Sequence, residues 1–363
     1  MRKIIRLLAF ISVLLFIVIC VVLITVWNTT GFDSGNEWLP TWSSDQQNIA
    51  FECMFIKLSD LINWDVGSQY YLSDICILNR GDNKLTRLTT EHGVSAPSWS
   101  PNGFMLAWLQ GDGIAIWNKL TNQFENFQSP RQFDFFDFQD DGRLEWSQDN
   151  RRIFVQGDGI SFDVQQKIFV DQLPTNRSPE KCCFSWSPDG RYLAYKSMTH
   201  EDANGGHWQV VIMQNGQISY KSDLEADLDV PLHWSPSGSI LAWVSSLQYH
   251  QIRLVFTDGM TGKTKLLFYG DDAIGISGIA WSPEGNQLAV AQGDQLQILN
   301  FRSVAGLEPD VTIQKSNIPL KGFPDIGIAW SPDEKFVAYD TGFLEDSHIW
   351  ILNLGDNVQT RLR

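Results

Sequence analysis

A Trp-Ser phrase followed by turn-forming residues recurs seven times along this chain and limits its fold more than any other feature. Four copies read Trp-Ser-Pro, then Asp, Asn, Ser or Glu, then Gly. The tryptophans of the seven copies are Trp42, Trp99, Trp146, Trp186, Trp234, Trp281 and Trp330. Successive copies lie 40 to 57 residues apart. A period of this size is typical of propellers and solenoids, in which each repeat packs on its neighbours.

Short β-type runs follow each phrase. Residues 193–195 (Leu-Ala-Tyr) and 349–352 (Ile-Trp-Ile-Leu) are examples, and a shorter run such as residues 360–363 closes each unit. Together with the run that ends in Trp, these runs give each unit four strands. No amphipathic stretch long enough to form a helix separates them. The sequence therefore predicts an all-β fold, a seven-bladed β-propeller of four-stranded antiparallel blades, preceded by one transmembrane helix.

The phrase itself favours a β-hairpin turn. Ser can accept a backbone N–H, Pro sets φ for the turn, and Gly tolerates positive φ. The Trp before the turn is expected to lie buried between neighbouring units, where its burial contributes about 4–6 kcal/mol before entropy is subtracted. The copies at Trp42 and Trp146 lack Pro and Gly, so we expect their turns to differ in geometry.

The combination of Trp-Ser-Pro-Asp-Gly, Leu-Ala-Tyr, Ile-Trp-Ile-Leu-Asn and Arg-Leu resembles the TolB-type, WD40-like (PD40) β-propeller repeat. The resemblance covers residues 37–363. It implies the propeller fold and is nearly silent on function, since such repeats occur in periplasmic scaffolds, peptidase propellers and sugar lyases. The first unit begins with an innermost strand and the last ends with an outermost one. No strand is then exchanged to close the ring, and we expect closure to rest on side-chain packing at a weak seam.

The N-terminus reads as a membrane signal. Residues 7–27 carry no charge, are mostly Leu, Ile, Val and Phe, and follow Arg2, Lys3 and Arg6. As a helix this run spans about 31 Å, which matches a bilayer core. The positive-inside rule predicts a cytoplasmic tail (1–6), a single-pass anchor (7–27), a linker (28–36) and a propeller (37–363) in the periplasm or outside the cell. The alternative is a cleaved signal peptide, although the run is long and no small-x-small site follows it.

The chain is acidic, with 42 Asp and Glu against 27 Lys and Arg and a formal net charge of −15. That balance argues against a nucleic acid partner. Many acids fall in loops expected on one propeller face: Asp134, Asp137, Asp223, Glu225, Asp227, Asp229, Asp271 and Asp272. They predict a surface for a basic protein or peptide partner, or for Ca²⁺. The alternative is that these are solvated loops that keep the protein soluble.

Two further segments are candidates for binding. Residues 124–138 hold six Phe interleaved with acids, which can form an exposed aromatic patch or pack under their own loop. Residues 54–73 form an insertion in the first unit with one Trp and two Tyr, and long loops on a rigid frame often bind ligands.

Signals of catalysis are few. The sequence contains no Gly-x-Ser-x-Gly elbow, P-loop, dinucleotide fingerprint or paired His motif. Propeller lyases of the resembled repeat type use His-rich metal sites in the channel, and His233, next to Trp234, could face such a channel. No cofactor is predicted, and the metal question stays open.

The cysteines suggest one cross-link. Cys53 and Cys76 align with positions that face each other across a two-residue hairpin, so a disulfide is reasonable in an oxidising compartment. A one-residue register shift would place them on opposite faces. Cys182 and Cys183 are consecutive in a strand, so we interpret them as small packing residues that point to opposite faces.

These observations lead to a first hypothesis, a membrane-anchored extracytoplasmic β-propeller that acts as a protein- or ligand-binding scaffold. The alternative is a channel-centred, metal-dependent hydrolase or lyase that acts on saccharides or peptides. A third version is a structural envelope protein held in a complex by its acidic face.

Overall fold

The described part of the chain falls into thirteen ranges. In this computed structural model they are residues 17–19, 32–56, 73–90, 92–133, 143–171, 181–202, 205–228, 230–247, 251–268, 275–301, 318–321, 324–341 and 347–362. Residues 17–19 are helical, and the rest of the predicted anchor lies outside the described residues. Among the described residues, no helix has the length and apolar character needed to span a membrane.

Strands in sequence order form the first four blades. Blade 1 contains β1 (Phe32–Trp42), β2 (Asn48–Ile56), β3 (Ser73–Asn79) and β4 (Lys84–Arg87). Blade 2 contains β5 (Val94–Trp99), β6 (Met105–Gln110), β7 (Gly113–Asn118) and β8 (Gln123–Gln128). Blade 3 contains β9 (Leu144–Trp146), β10 (Arg152–Val155), β11 (Ile160–Asp163) and β12 (Ile168–Asp171). Blade 4 contains β13 (Lys181–Trp186), β14 (Tyr192–Asp202), β15 (Gly205–Gln214) and β16 (Gln217–Glu225).

The last three blades continue the pattern. Blade 5 contains β17 (His233–Trp234), β18 (Ile240–Leu247), β19 (Gln251–Asp258) and β20 (Thr264–Phe268). Blade 6 contains β21 (Ile276–Trp281), β22 (Gln287–Gln292), β23 (Gln295–Asn300) and β24 (Ile318–Pro319). Blade 7 contains β25 (Pro324–Trp330), β26 (Phe336–Thr341), β27 (His348–Asn353) and β28 (Gln359–Arg361).

The described strands form seven antiparallel sheets, each of four consecutive strands. The first strands of neighbouring blades lie against one another, including those of blades 7 and 1. This arrangement confirms the predicted seven-bladed, all-β propeller. No sheet borrows a strand from another part of the chain. β1 begins at Phe32, inside the segment that the sequence assigned to the linker, so the first blade starts earlier than the predicted residue 37.

All seven hairpin turns share one geometry. The Ser after each Trp accepts the backbone N–H five residues later, for example Asn48 N to Ser43 Oγ at 3.0 Å and Arg152 N to Ser147 Oγ at 2.9 Å. The fourth residue after each Trp has positive φ, whether it is Gly or, as at Gln46 (61°) and Asn150 (60°), another residue. The expectation that the turns after Trp42 and Trp146 differ was therefore wrong. The Ser hydroxyl holds the turn even where Pro and Gly are replaced.

The hydrophobic core is divided among the junctions between blades. Seven clusters of buried side chains each join two neighbouring blades. Every cluster includes one repeat Trp, and six of these seven rings are buried while Trp281 is partly buried. Most of the rings also donate from Nε1 to a backbone carbonyl of the preceding blade, as Trp234 does to Ser185 O at 3.0 Å.

Four side chains, which we call the bridging residues, connect one blade to the backbone of the next. They are Glu52, Gln156, Lys196 and Asp340, and each stands ten positions after its repeat Trp. Ala96 N donates to Glu52 Oε1 at 2.7 Å, and Trp186 N donates to Gln156 Oε1 at 2.8 Å. Lys196 Nζ donates to the carbonyls of Leu228 (2.9 Å) and Val230 (3.0 Å). The other three blades carry the buried apolar residues Leu109, Val244 and Ala291 at this position.

The fourth bridging residue lies at the seam, the junction between blades 7 and 1. Asp340 is buried, and its carboxylate accepts from Leu39 N of blade 1 at 2.9 Å and from Gly327 N of its own blade at 3.0 Å. Trp42 Nε1 donates to Ala329 O at 3.2 Å, and Glu37 N donates to Ser347 O at 3.1 Å. The seam is thus closed by hydrogen bonds as well as by packing, which corrects the expectation of closure by side-chain packing alone.

Candidate functional site

The residue immediately before each repeat Trp lies on the innermost strand of its blade. These seven residues, which we call the axial ring, are Thr41, Ser98, Glu145, Ser185, His233, Ala280 and Ala329. Every member of the ring except Ser185 is partly exposed. The residue before each member is buried, and the Trp after it is buried or, at Trp281, partly buried. Because the first strands surround the centre, these partly exposed residues lie beside the central channel. Its members are polar in blades 1–5 and Ala in blades 6 and 7.

Glu145 is the acid of the axial ring. Its Oε2 accepts a hydrogen bond from Gln156 Nε2 at 2.5 Å, and the Oε1 of the same Gln156 accepts from Trp186 N. Burial raises the pKa of Glu145 to about 7, and the hydrogen bond from Gln156 opposes this shift only in part. Glu145 can therefore exchange a proton close to neutral pH, and its carboxyl group is connected to the bridge between blades 3 and 4.

His233 is the base of the axial ring, two blades further on. Burial lowers the pKa of His233 to about 3, and the positive charges of Arg143 and Lys196 lower it further. Its imidazole is therefore neutral at physiological pH and offers one donor and one acceptor. That His233 faces the channel stays a prediction.

The acidic residues of the predicted binding surface are only partly within the described residues. Asp134, Asp137, Asp229, Asp271 and Asp272 lie outside them. Asp223 and Glu225 belong to β16 rather than to a loop, because that strand continues to Glu225. Asp223 is exposed and Asp227 is half-buried. The structure thus places one described acid of this set on an open edge strand.

Glu225 is engaged within its own blade. His207 Nδ1 lies 2.7 Å from Glu225 Oε1, and the imidazole of His207 stacks on that of His200 with ring centres 4.1 Å apart. His200 and His207 are cross-strand partners near the end of the β14–β15 hairpin. Glu225 therefore orients this aromatic pair, a contact that sequence spacing did not indicate.

The other predicted binding segments lie only partly within the described residues. Phe127 packs on Phe162 of blade 3 with ring centres 4.6 Å apart, and Phe133 is buried. Phe124 remains about half exposed at 48%. Part of the Phe-rich segment therefore packs in the junction between blades 2 and 3. Residues 134–138, and residues 57–72 of the insertion, lie outside the described residues.

The two cysteine pairs differ from each other in sequence separation. Cys53 and Cys76 are buried on adjacent strands of blade 1, 23 positions apart, and form a disulfide with a Cα–Cα distance of 5.9 Å. Cys182 and Cys183 are also bonded to each other. The expectation that this second pair points to opposite faces was wrong, because a β-bulge with positive φ at Cys183 interrupts the strand.

The described residues contain no evident metal centre. There, no group of three or more His, Cys, Asp or Glu side chains is arranged to hold a metal ion.

Sequence reasoning missed the bridging residues and Glu145. A signal existed for the bridging residues, because a polar side chain ten positions after the repeat Trp interrupts a buried strand that is otherwise apolar. Glu145 carried a similar signal as the only acid directly before a repeat Trp. What the sequence could not supply was the partner, since each contact crosses from one blade to the next.

Solved structures with a similar fold belong to functionally diverse proteins. Oligogalacturonate lyase from Vibrio parahaemolyticus is 10% identical, with a TM-score of 0.64 and coverage of 90% of this chain and 92% of the other. The β-propeller domain of the Trilobed protease from Pyrococcus furiosus is 13% identical, with a TM-score of 0.59 and coverage of 92% and 98%. A chain of a mitotic checkpoint complex is 17% identical, with a TM-score of 0.52 and coverage of 86% of each. At these identities the likeness establishes the fold alone.

Comparison by sequence identifies one family. No curated protein matches the chain. A family model described as the first N-terminal β-propeller of ELP1 matches residues 86–305, more than half of the chain. The TolB-type resemblance of the repeat motif stays a prediction beside this match. The chain belongs to the family of the ELP1 first N-terminal β-propeller.

Proposed function

We propose that this protein is a membrane-anchored, extracytoplasmic scaffold that binds a basic protein or peptide segment through blade 4. One observation carries the proposal: blade 4 is enlarged and presents an open edge strand that carries the exposed Asp223. Its β14 and β15 are 11 and 10 residues long, whereas the corresponding strands of blades 2, 6 and 7 have six. Its outer strand β16 has nine residues, most of them exposed.

An exposed outer strand suits recognition of an extended chain. Its free edge can pair with the backbone of a partner, and side chains beside it supply specificity. Asp223 and Glu201 are exposed on this blade and carry negative charge, so a partner with Lys or Arg at matching positions is favoured. Protein binding is also consistent with the fold, since a chain of a mitotic checkpoint complex shares it.

The membrane attachment rests on the sequence. Residues 7–27 are uncharged and apolar behind three basic residues, as expected of a signal anchor with a cytoplasmic N-terminus. The Cys53–Cys76 pair fits an oxidising compartment. Alkaline carbonate extraction and the intact mass of the chain test this part. We expect an uncleaved protein that stays with the membrane, and release or loss of the first segment contradicts the anchor.

The binding proposal is tested with the full-length chain in detergent micelles and a fluorescent, Lys-rich extended peptide. The double variant Glu201→Lys, Asp223→Lys is expected to bind roughly tenfold more weakly at low salt, because a like charge then faces the peptide. The matched control, Asp82→Lys with Asp356→Lys, changes two exposed acids of blades 1 and 7. Equal binding by both variants, or no binding by the native chain, contradicts the proposal.

A second candidate is a channel-centred, metal-dependent hydrolase or lyase that acts on saccharides or peptides. The observation that favours it is Glu145, a carboxyl group on the axial ring that titrates near neutral pH. Glu145→Gln removes proton transfer and keeps the shape. An activity screen with added Ca²⁺ or Mn²⁺ should show turnover that this variant loses, and no turnover by the native chain removes the candidate.

A further inference from the structure

Cys182 and Cys183 occupy the first strand of blade 4 in a conformation unlike that of a regular strand. In a regular strand, consecutive side chains point to opposite faces. Here the pairing of β13 with β14 shifts between Cys182 and Ser185, and Cys183 has a φ of 60°. The bulge brings both sulfur atoms to one side, where they are bonded to each other.

This bulge recurs in two other blades and does not depend on the cysteines. Cys183 stands three positions before Trp186. The residues three positions before Trp42 and Trp99, Leu39 (48°) and Ala96 (53°), also have positive φ. Blades 1 and 2 therefore adopt the same local backbone without any cysteine. It follows that the fold accepts the pair both as two thiols and as a disulfide.

The surroundings of the pair connect it to the junction between blades 4 and 5. Both cysteines are buried in the cluster that contains Trp208, Trp234 and Trp243. Cys182 is the strand partner of Lys196, which bridges to Leu228 and Val230 ahead of blade 5. The two sulfur atoms therefore lie in a cluster with several indole rings and beside a bridging residue, so oxidation or reduction of the pair alters the surroundings of both.

We propose that Cys182 and Cys183 form a reversible redox modification site whose reaction partners are small thiols and disulfides such as glutathione. In the oxidising direction one cysteine thiolate attacks glutathione disulfide, forming a mixed disulfide and releasing one glutathione. The second cysteine then attacks the protein sulfur of that mixed disulfide, and the second glutathione leaves. The two protons of the cysteine thiols end on the two released glutathione thiols, so the protein pair is oxidised by two electrons and glutathione disulfide is reduced.

The Cys53–Cys76 pair provides an internal reference. It joins residues 23 positions apart on two strands, so its bond restricts a substantial loop of the unfolded chain. The bond between Cys182 and Cys183 joins neighbours and restricts almost no loop. We therefore expect the vicinal pair to be reduced first, with Cys53–Cys76 persisting under milder reduction.

Mass spectrometry of the full-length chain tests the proposal. Trypsin cuts after Lys181 and Arg191, so one peptide, residues 182–191, contains both cysteines of the pair and no other. The chain is equilibrated in glutathione buffers of graded ratio, alkylated and digested. We expect this peptide to convert between an unalkylated form two hydrogens lighter and a doubly alkylated form. Its midpoint should lie at a glutathione ratio at least about tenfold more oxidising than that of Cys53–Cys76.

Tryptophan fluorescence provides a second readout, because a disulfide beside indole rings quenches their emission. The signal should follow the alkylation state of residues 182–191 in the native chain and be lost in Cys183→Ala, which retains the Cys53–Cys76 transition. If Cys183→Ala does not fold, the peptide masses of the native chain decide alone. A peptide that stays doubly alkylated at every ratio, or that carries only attached glutathione, overturns the proposal.

Discussion

The junctions between blades are of two chemical kinds. At the junctions of blades 1 and 2, 3 and 4, 4 and 5, and 7 and 1, a bridging residue hydrogen-bonds the backbone of the next blade. At the remaining three, the same position is Leu109, Val244 or Ala291, and apolar packing joins the blades together with the Nε1 hydrogen bond of the repeat Trp. The repeat Trp is common to both kinds. The difference shows that two blades can join with or without a buried polar bridge at this position.

The seam shows what a polar bridge adds to a junction between blades. Its two blades come from opposite ends of the sequence, so chain connectivity does not hold them together. Asp340 satisfies one backbone N–H on each side of it, and a buried N–H left unpaired costs about 1–3 kcal/mol. The polar contact thus adds a directional bond to the apolar packing of the seam. A closed ring gives blade 4 a rigid frame on which to present its edge strand.

Removal of the seam bridge should have the largest effect. Asp340→Ala leaves the amides of Leu39 and Gly327 buried without their acceptor, so we expect the free energy of unfolding to fall by about 3 kcal/mol. Urea denaturation followed by tryptophan fluorescence measures it. The control is Asp356→Ala, which removes an exposed carboxylate that accepts from Val358 N in the same blade. It should cost less than about 0.5 kcal/mol, and equal losses would show that the seam is not special.

The bridge between blades 1 and 2 should have a smaller effect. Glu52 supplies one acceptor, to Ala96 N, so Glu52→Ala is expected to cost about 2 kcal/mol in the same denaturation experiment. Glu52→Gln keeps an oxygen acceptor of the same reach and should retain most of the stability. If Gln and Ala are equally destabilising, the contact to Ala96 is not what stabilises this junction.

The junction of blades 3 and 4 should depend on pH through Glu145. Its pKa is raised from 4.5 to about 7 on folding, so the folded chain binds the proton more tightly than the unfolded chain. This contribution is complete below about pH 4.5 and is lost as the pH rises to about 7. Glu145→Gln should therefore be the more stable protein at about pH 8, by about 1–2 kcal/mol once solvent in the channel is allowed for.

Denaturation of both proteins at about pH 4.5 and about pH 8 checks this difference. The native chain should lose stability relative to the Gln variant across the interval. A difference that does not change with pH would mean that folding does not raise the pKa of Glu145.

The smallest effect is expected at Lys196. Lys196→Met fills similar space and removes a buried charge that is costly to desolvate, which offsets the lost bonds to Leu228 and Val230. We expect a change in unfolding free energy below about 1 kcal/mol, with faster amide exchange in residues 226–230. Strong destabilisation would show that the cationic bridge stabilises the junction as much as the carboxylate bridges do.

The fold could be predicted from the sequence because its determinants are local and repeated. The Ser after each Trp and the positive-φ residue three positions later specify the same turn seven times, even at Asn150 where Gly is replaced. The disulfide between Cys53 and Cys76 was also predicted, but not its register: Cys53 pairs with Asp74 and Cys76 with Phe51, so the cysteines are diagonal neighbours rather than directly opposite.

The site could be predicted less well because its contacts cross between blades. Glu225 was assigned to a loop, whereas β16 extends through it and pairs it with His207. The bulge at Cys183 depends on the geometry of the inner strand, which the Cys-Cys pair itself does not reveal. The closure of the seam by Asp340 depends on residues about 300 positions apart.

Amide hydrogen exchange at Leu39 tests most directly whether polar bridges close the ring. In the native chain we expect the Leu39 amide to be as strongly protected as that of Ala96. In Asp340→Ala we expect the amides of Leu39 and Gly327 to lose protection while that of Ala96 keeps it. A Leu39 amide that exchanges in the native chain as fast as the exposed amide of Asp82 would contradict the closed seam.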